Sequence, residues 1–184
     1  MRSSEDARTT AVHEQTRGER RIFLKLLGLG ASAALVGGVM RPLPVGAAKT
    51  DILLLNCMDY RLVDEVTRYM ASRGLTNKYD QVSLAGAALA ATTEKYPAWG
   101  QTFWEHLDVA ITLHKIRKVM VIHHRDCGAF KVILGKDFAK DPAAETTIHT
   151  EVSQRLSRAI QQKHPNLEVE LLLMALDGKV EKIG

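Results

Sequence analysis

Two short segments hold the chain's two cysteines, Cys57-Met58-Asp59-Tyr60-Arg61 and His124-Arg125-Asp126-Cys127. Two thiolates and an imidazole make a three-ligand set for Zn²⁺ and leave the fourth tetrahedral position open. An open position is what separates a catalytic zinc site from a structural one. Asp59 and Arg61 follow Cys57 at two and four residues. A carboxylate placed there can reach back toward the open face of the metal, and a neighbouring arginine keeps it ionised and fixes its orientation. Zinc with two thiolates and a neutral histidine is formally neutral, hence a weaker Lewis acid than zinc held by three histidines. A carboxylate that accepts a hydrogen bond from the bound water orients the nucleophile's lone pair. The chemistry implied is attack of a zinc-bound hydroxide on a small electrophile. A thiol redox role for Cys57 and Cys127 competes with this, but the chain has no Cys-x-x-Cys.

The elements needed to bring the two segments together are legible in the apolar pattern. Residues 51–56 form a short continuous apolar run, the mark of a strand covered on both faces. A helix follows over 61–73, with Leu62, Val66 and Met70 at spacings of four and Gly74 to stop it. A weaker strand is expected over 79–85 and a helix over 99–115, the latter with Phe103, Leu107, Ala110, Ile111 and His114 along one face. Residues 118–123 read as the second clear strand. Residues 143–163 read as a long amphipathic helix carrying Ile148, Val152, Leu156 and Ile160. A strand over 167–176, the turn Asp177-Gly178 and a closing strand over 179–183 complete the pattern. Alternating strands and helices predict an α/β fold: a single three-layer domain with a mainly parallel central sheet flanked by helices and an antiparallel strand at one edge. Ligands of such sheets bind outside the carboxyl ends of the strands, which is where both cysteine segments fall.

Composition narrows the classes further. Apolar residues make up 46% and charged residues 25%, an ordinary globular balance. The net charge of +4 belongs mostly to residues 1–47, with seven Lys/Arg against four Asp/Glu; residues 48–184 hold 18 against 17. That body has no long basic stretch for a phosphate backbone, so no nucleic acid is expected as a partner. Two cysteines exclude a disulfide framework. Residues 1–47 read as an export signal: Arg20-Arg21-Ile22-Phe23-Leu24-Lys25, then a Gly/Ala-rich stretch over 26–40, then Gly46-Ala47-Ala48 as a cleavage site. The paired arginines resemble a twin-arginine signal. Its machinery would be a partner, and the body, 48–184, would work in the periplasm or otherwise outside a bacterial cell. The stretch over 26–40 falls short of the roughly 18 residues of a membrane span, so no stable span is expected in the mature form. Export after folding suits a thiolate site, since zinc loaded inside the cell protects two cysteines outside it.

Cys-x-Asp-x-Arg followed by His-x-x-Cys-Gly is the pattern of the beta-class carbonic anhydrases. Val121-Ile122-His123-His124-Arg125-Asp126-Cys127-Gly128-Ala129 closely resembles that family's strand and second ligand segment. The likeness extends through most of residues 50–183. It implies zinc held by Cys57, His124 and Cys127, with Asp59 and Arg61 as catalytic dyad. It also implies reversible hydration of carbon dioxide to bicarbonate and a proton, and a homodimer or higher homo-oligomer. The alternatives are hydrolysis of carbonyl sulfide or carbon disulfide on the same site, and a non-catalytic zinc- or anion-binding relative. The chain departs from the family in the 67-residue interval between Cys57 and His124 and in Ser83-Leu84-Ala85-Gly86-Ala87, where the family carries an Arg-Asn-Ala-Gly-like segment. It departs too in lacking, between the cleavage site and the first strand, the helices that embrace a partner subunit.

Several residues near the motifs take simpler readings. His123 should point away from His124 into the core. Arg125 and Asp126 should hydrogen-bond within their loop, and Gly128 should permit a tight turn. His106 and His114 should be solvated or packed. Trp99, Phe103 and Trp104 should be core or interface residues, with lining of the pocket as the alternative.

Overall fold

The structure is a computed structural model and describes residues 50–184. The twin-arginine-like segment and its cleavage site lie outside the described residues. Strand β1 (Ile52–Cys57) is flanked by β2 (Tyr79–Leu84) and β3 (Lys118–His124), both parallel to it. Strand β4 (Glu168–Met174) joins β3 in parallel, and β5 (Val180–Lys182) closes the edge antiparallel, giving the order β2-β1-β3-β4-β5. The expected α/β architecture is present: a mainly parallel five-stranded sheet, helices against it and one antiparallel edge strand.

Burial on both faces explains why β1 is apolar throughout. Leu53 and Leu55 point into a cluster with Val119, Val121, Leu171 and Leu173, covered by helices carrying Phe103, Leu107, Val152 and Leu156. Ile52 and Leu54 face the other way, with Met120, Ile122 and Leu172, against Leu62, Val66 and Met70. Each leucine buried this completely contributes on the order of 2 kcal/mol. The second cluster is covered by α1 (Val63–Ser72), entered through a single 3₁₀ turn at Tyr60–Leu62. The first is covered by α2 (Ala88–Thr92), α3 (Pro97–His114), α4 (Gly128–Leu134) and α5 (Pro142–Lys163).

Helices α2 and α4 are additions to the sequence reading. Five and seven residues are too few for helical periodicity to stand out. The long helices begin a little earlier than the apolar pattern suggests, because Pro97 and Pro142 occupy the first turn of α3 and α5. Strand β3 runs one residue further than expected and carries His124 as its last member. Among the described residues no helix is long and apolar enough to cross a membrane.

Candidate metal centre

Strands β1 and β3 are direct neighbours in register, with Asn56 opposite Ile122, so Cys57 and His124 emerge side by side at the carboxyl end of the sheet. Parallel pairing turns a separation of dozens of residues into adjacency. Cys127 returns to the same place at the entrance to α4. The ligand atoms of Cys57, His124 and Cys127 all lie within 4.8 Å of one another.

Three observations show that this trio fits a tetrahedral metal. The two sulfurs are 3.8 Å apart, and two metal–sulfur bonds of about 2.3 Å at a tetrahedral angle span about 3.8 Å. His124 Nδ1 lies 2.8 Å from the Arg125 carbonyl oxygen, which only accepts, so Nδ1 carries the proton. Its Nε2 is buried and has no hydrogen-bond partner. A buried imidazole nitrogen without a partner is costly unless a ligand takes its lone pair.

Electrostatics around the sulfurs favours the same chemistry. Hydrogen bonding from the Cys127 thiol, followed by His124, pulls Cys57 well below the usual thiol range against the effect of burial. Cys127, hydrogen-bonded to that thiolate and buried, is pushed up correspondingly. Burial, the largest single influence, pushes the His124 imidazolium down, but the Cys57 sulfur, the Arg125 carbonyl and the Asp59 carboxylate together outweigh it and the net shift is upward. Binding of a divalent cation therefore displaces the proton of Cys127. The Gly86 backbone N–H also points at Cys57 Sγ, from 3.3 Å.

Asp59 and Arg61 stand above this trio. Asp59 caps the 3₁₀ turn, accepting from the Arg61 backbone N–H at 3.0 Å. The Arg61 guanidinium donates to both carboxylate oxygens, Nε to Oδ1 at 3.0 Å and Nη2 to Oδ2 at 2.8 Å. This fork holds the Asp59 carboxyl down to about 2. Asp59 Oδ2 lies 3.7 Å from His124 Nε2, so the dyad reaches the ligand trio. Arg61 is itself gripped from the second segment: it donates to the Asp126 carboxylate at 2.8 Å and to the Asp126 carbonyl at 2.9 Å.

In front of the trio opens a cleft of about 440 Å³ whose walls include Ala85, Trp99, Ala129, Val132 and Ile133, with Cys57, Asp59 and Cys127 among its lining residues. Behind it, His123 points into the core as expected and meets His149 of α5, Nδ1 to Nδ1 at 2.7 Å. Burial keeps both imidazoles neutral, pushing His149 down to about 3 and His123 well below its ordinary range.

A family of proteins described as "Putative carbonic anhydrase" matches residues 47–184. The chain belongs to that family. It is similar to two rickettsial proteins, each described as uncharacterized. One, from Rickettsia bellii (strain RML369-C), is 39% identical over 131 residues, 71% of this chain and 80% of the relative. The other, from Rickettsia conorii (strain ATCC VR-613 / Malish 7), is 38% identical over 131 residues, 71% and 70%. Among solved structures it is similar to a beta-carbonic anhydrase from the protozoan Trichomonas vaginalis, with 17% identity, a TM-score of 0.49 and coverage of 92% and 96%.

The structure also corrects and completes the reading of single residues. The tight turn expected at Gly128 falls instead at Asp126, which has φ +56°, while Gly128 opens α4. Phe103 is a core residue, Trp104 packs on it edge-on at 5.2 Å, and Trp99 lines the cleft. His106 and His114 are exposed, bonded to the Thr102 carbonyl and the Asp80 carboxylate. Two contributors were missed by sequence reasoning. The Gly86 N–H is a backbone group that no residue type announces. Glu145 belongs to a line of polar residues, Glu145, His149 and Ser153, at spacings of four beside the apolar stripe of α5. That line was the available signal.

Proposed function

We propose that the chain is a zinc-dependent carbonic anhydrase that hydrates carbon dioxide reversibly to bicarbonate and a proton. The observation that carries this is the buried, unpartnered Nε2 of His124 facing two sulfurs spaced for a tetrahedral ion. Cys57, His124 and Cys127 would hold the zinc. When bound, zinc supplies a Lewis acid and an open coordination position.

The chain's own residues do the rest. Asp59, kept ionised by the Arg61 fork, accepts a hydrogen bond from the attacking water and turns its lone pair toward the cleft. Arg61, tied to Asp126, cannot swing away and release the carboxylate. The apolar walls admit a small uncharged substrate at little desolvation cost and give charged bicarbonate little reason to stay. The exposed apolar rim formed by Met58, Tyr60 and Val132 suits contact with a second copy of the chain, consistent with a homo-oligomer.

Stopped-flow carbon dioxide hydration on zinc-loaded protein tests the proposal. Acceleration proportional to bound zinc is expected, and Asp59→Asn should lower kcat by at least about a hundredfold while zinc is retained. No acceleration with one zinc bound per chain contradicts the hydratase reading. In that case hydrolysis of carbonyl sulfide, measured on the same sample, separates the related hydrolase from a non-catalytic zinc protein.

A further inference from the structure

Glu145 is the one acidic side chain among the described residues that is fully buried. A carboxylate in that position is costly unless charge and hydrogen bonds compensate it. Both of its oxygens are engaged, and both reach into the loop between His124 and Cys127. Oε1 accepts from the Asp126 backbone N–H at 2.6 Å, and Oε2 accepts from Arg125 Nη1 at 3.2 Å. Arg125 Nη1 also donates to the Pro142 carbonyl at 3.0 Å, and Nη2 pairs with Glu181.

Stability of α5 does not call for this arrangement. The helix is already capped by Asp141, which accepts from the Ala144 N–H at 3.0 Å, and it is anchored by Val152, Leu156 and Ile160. What Glu145 holds is the backbone N–H of Asp126, a residue in the left-handed conformation that few residues other than glycine adopt. That conformation sets the separation of His124 from Cys127 and aims the Asp126 carboxylate and carbonyl at Arg61.

We infer that Glu145 is a positioning residue: from α5 it fixes the His124–Cys127 loop in its ligating form and, through Asp126 and Arg61, the orientation of Asp59. This rests on the metal reading of Cys57, His124 and Cys127. Partners one shell out from a metal commonly govern affinity as strongly as some ligands do.

The test is titration of the metal-depleted full chain with Co²⁺, followed by absorption, and with Zn²⁺ against a chromophoric chelator. Wild type should give thiolate-to-cobalt charge transfer and the visible bands of a tetrahedral ion. Glu145→Ala should bind roughly 10–100-fold more weakly and shift the visible bands. Glu145→Gln keeps an oxygen for the Asp126 N–H but no charge for Arg125, and should lie between the two. Leu156→Ala removes a fully buried side chain of the same helix and should lower stability while leaving affinity and bands unchanged. In the zinc-loaded protein Glu145→Ala should lower kcat more than it raises KM.

Glu145→Ala with wild-type affinity and spectrum overturns the inference, as does an equal loss in Leu156→Ala. If Glu145→Ala does not fold, Glu145→Gln decides: several-fold weaker binding supports the role, and binding indistinguishable from wild type overturns it. A wild-type chain that gives no thiolate charge transfer removes the metal reading and this role with it, whereas failure confined to the variants removes the positioning role alone.

Discussion

The two segments that meet at the candidate metal centre are built in opposite ways. Around Cys57 the support is mostly local: Asp59 caps its own turn, and Arg61, two residues on, closes the fork. Around His124 and Cys127 the support comes from far along the chain. Glu145 holds Asp126 from 19 residues away, and Glu181 holds Arg125 from 56. Met174 accepts from the Arg125 N–H across the sheet, and His149 meets His123 from 26 residues away. A segment supported mostly by its own residues depends less on the packing around it. A segment held by distant groups keeps its geometry only once helix and sheet have packed, so any metal affinity there would be coupled to the fold.

Replacing a ligand should erase this contrast. Cys57→Ser and Cys127→Ser should each reduce zinc, measured by elemental analysis of the purified protein, from about one per chain to near zero, since two remaining donors do not hold the ion. Zinc retained in full by either variant would remove that cysteine from the ligand set.

A smaller effect, confined to the second segment, comes from the imidazole pair beneath it. His149 sits at about 3 in the folded chain, chiefly through burial and then the charges of His124 and Arg125. Its ordinary value is 6.5, so the unfolded chain takes up a proton that the folded chain refuses. The sign is fixed: stability is full above about pH 6.5 and is lost as pH falls toward 3, by up to about 1.4 kcal/mol per unit for each such histidine. Denaturant unfolding of metal-depleted protein between pH 7 and 4 should show this slope, flattened in His149→Gln. An identical slope in that variant would place the acid sensitivity elsewhere.

The smallest effect concerns the first segment, whose support is not wholly local. Gly86 has φ +85°, and a Cβ built there meets the Ala129 Cβ at 3.2 Å. Gly86→Ala should therefore cost about 1–2 kcal/mol of stability, read from the thermal midpoint, with zinc stoichiometry unchanged. Loss of zinc as well would show that the N–H to Cys57 matters to ligation and not only to packing.

This asymmetry also decides what was legible in the sequence. The sheet could be read because β1 and β3 are apolar on both faces, and the long helices because Phe103, Leu107, Val152 and Leu156 recur at helical spacing. The Asp59–Arg61 pair could be read because its partners lie two residues apart. Glu145 was harder: only its line with His149 and Ser153 marks it, and alone it looks like an acid in the first turn of a helix, favourable there for reasons unrelated to any site. The turn assigned to Gly128 went to Asp126 because a distant carboxylate, rather than the absence of a side chain, stabilises the left-handed backbone there. Helices α2 and α4 were hidden by brevity, and the Gly86 N–H by being backbone.

X-ray absorption at the zinc edge of the metal-loaded protein tests the central claim most directly, because it counts the atoms joining the two segments. The account predicts two sulfur neighbours at about 2.3 Å together with nitrogen or oxygen neighbours at about 2.0 Å, one of them an imidazole. A first shell containing one sulfur or none would contradict it.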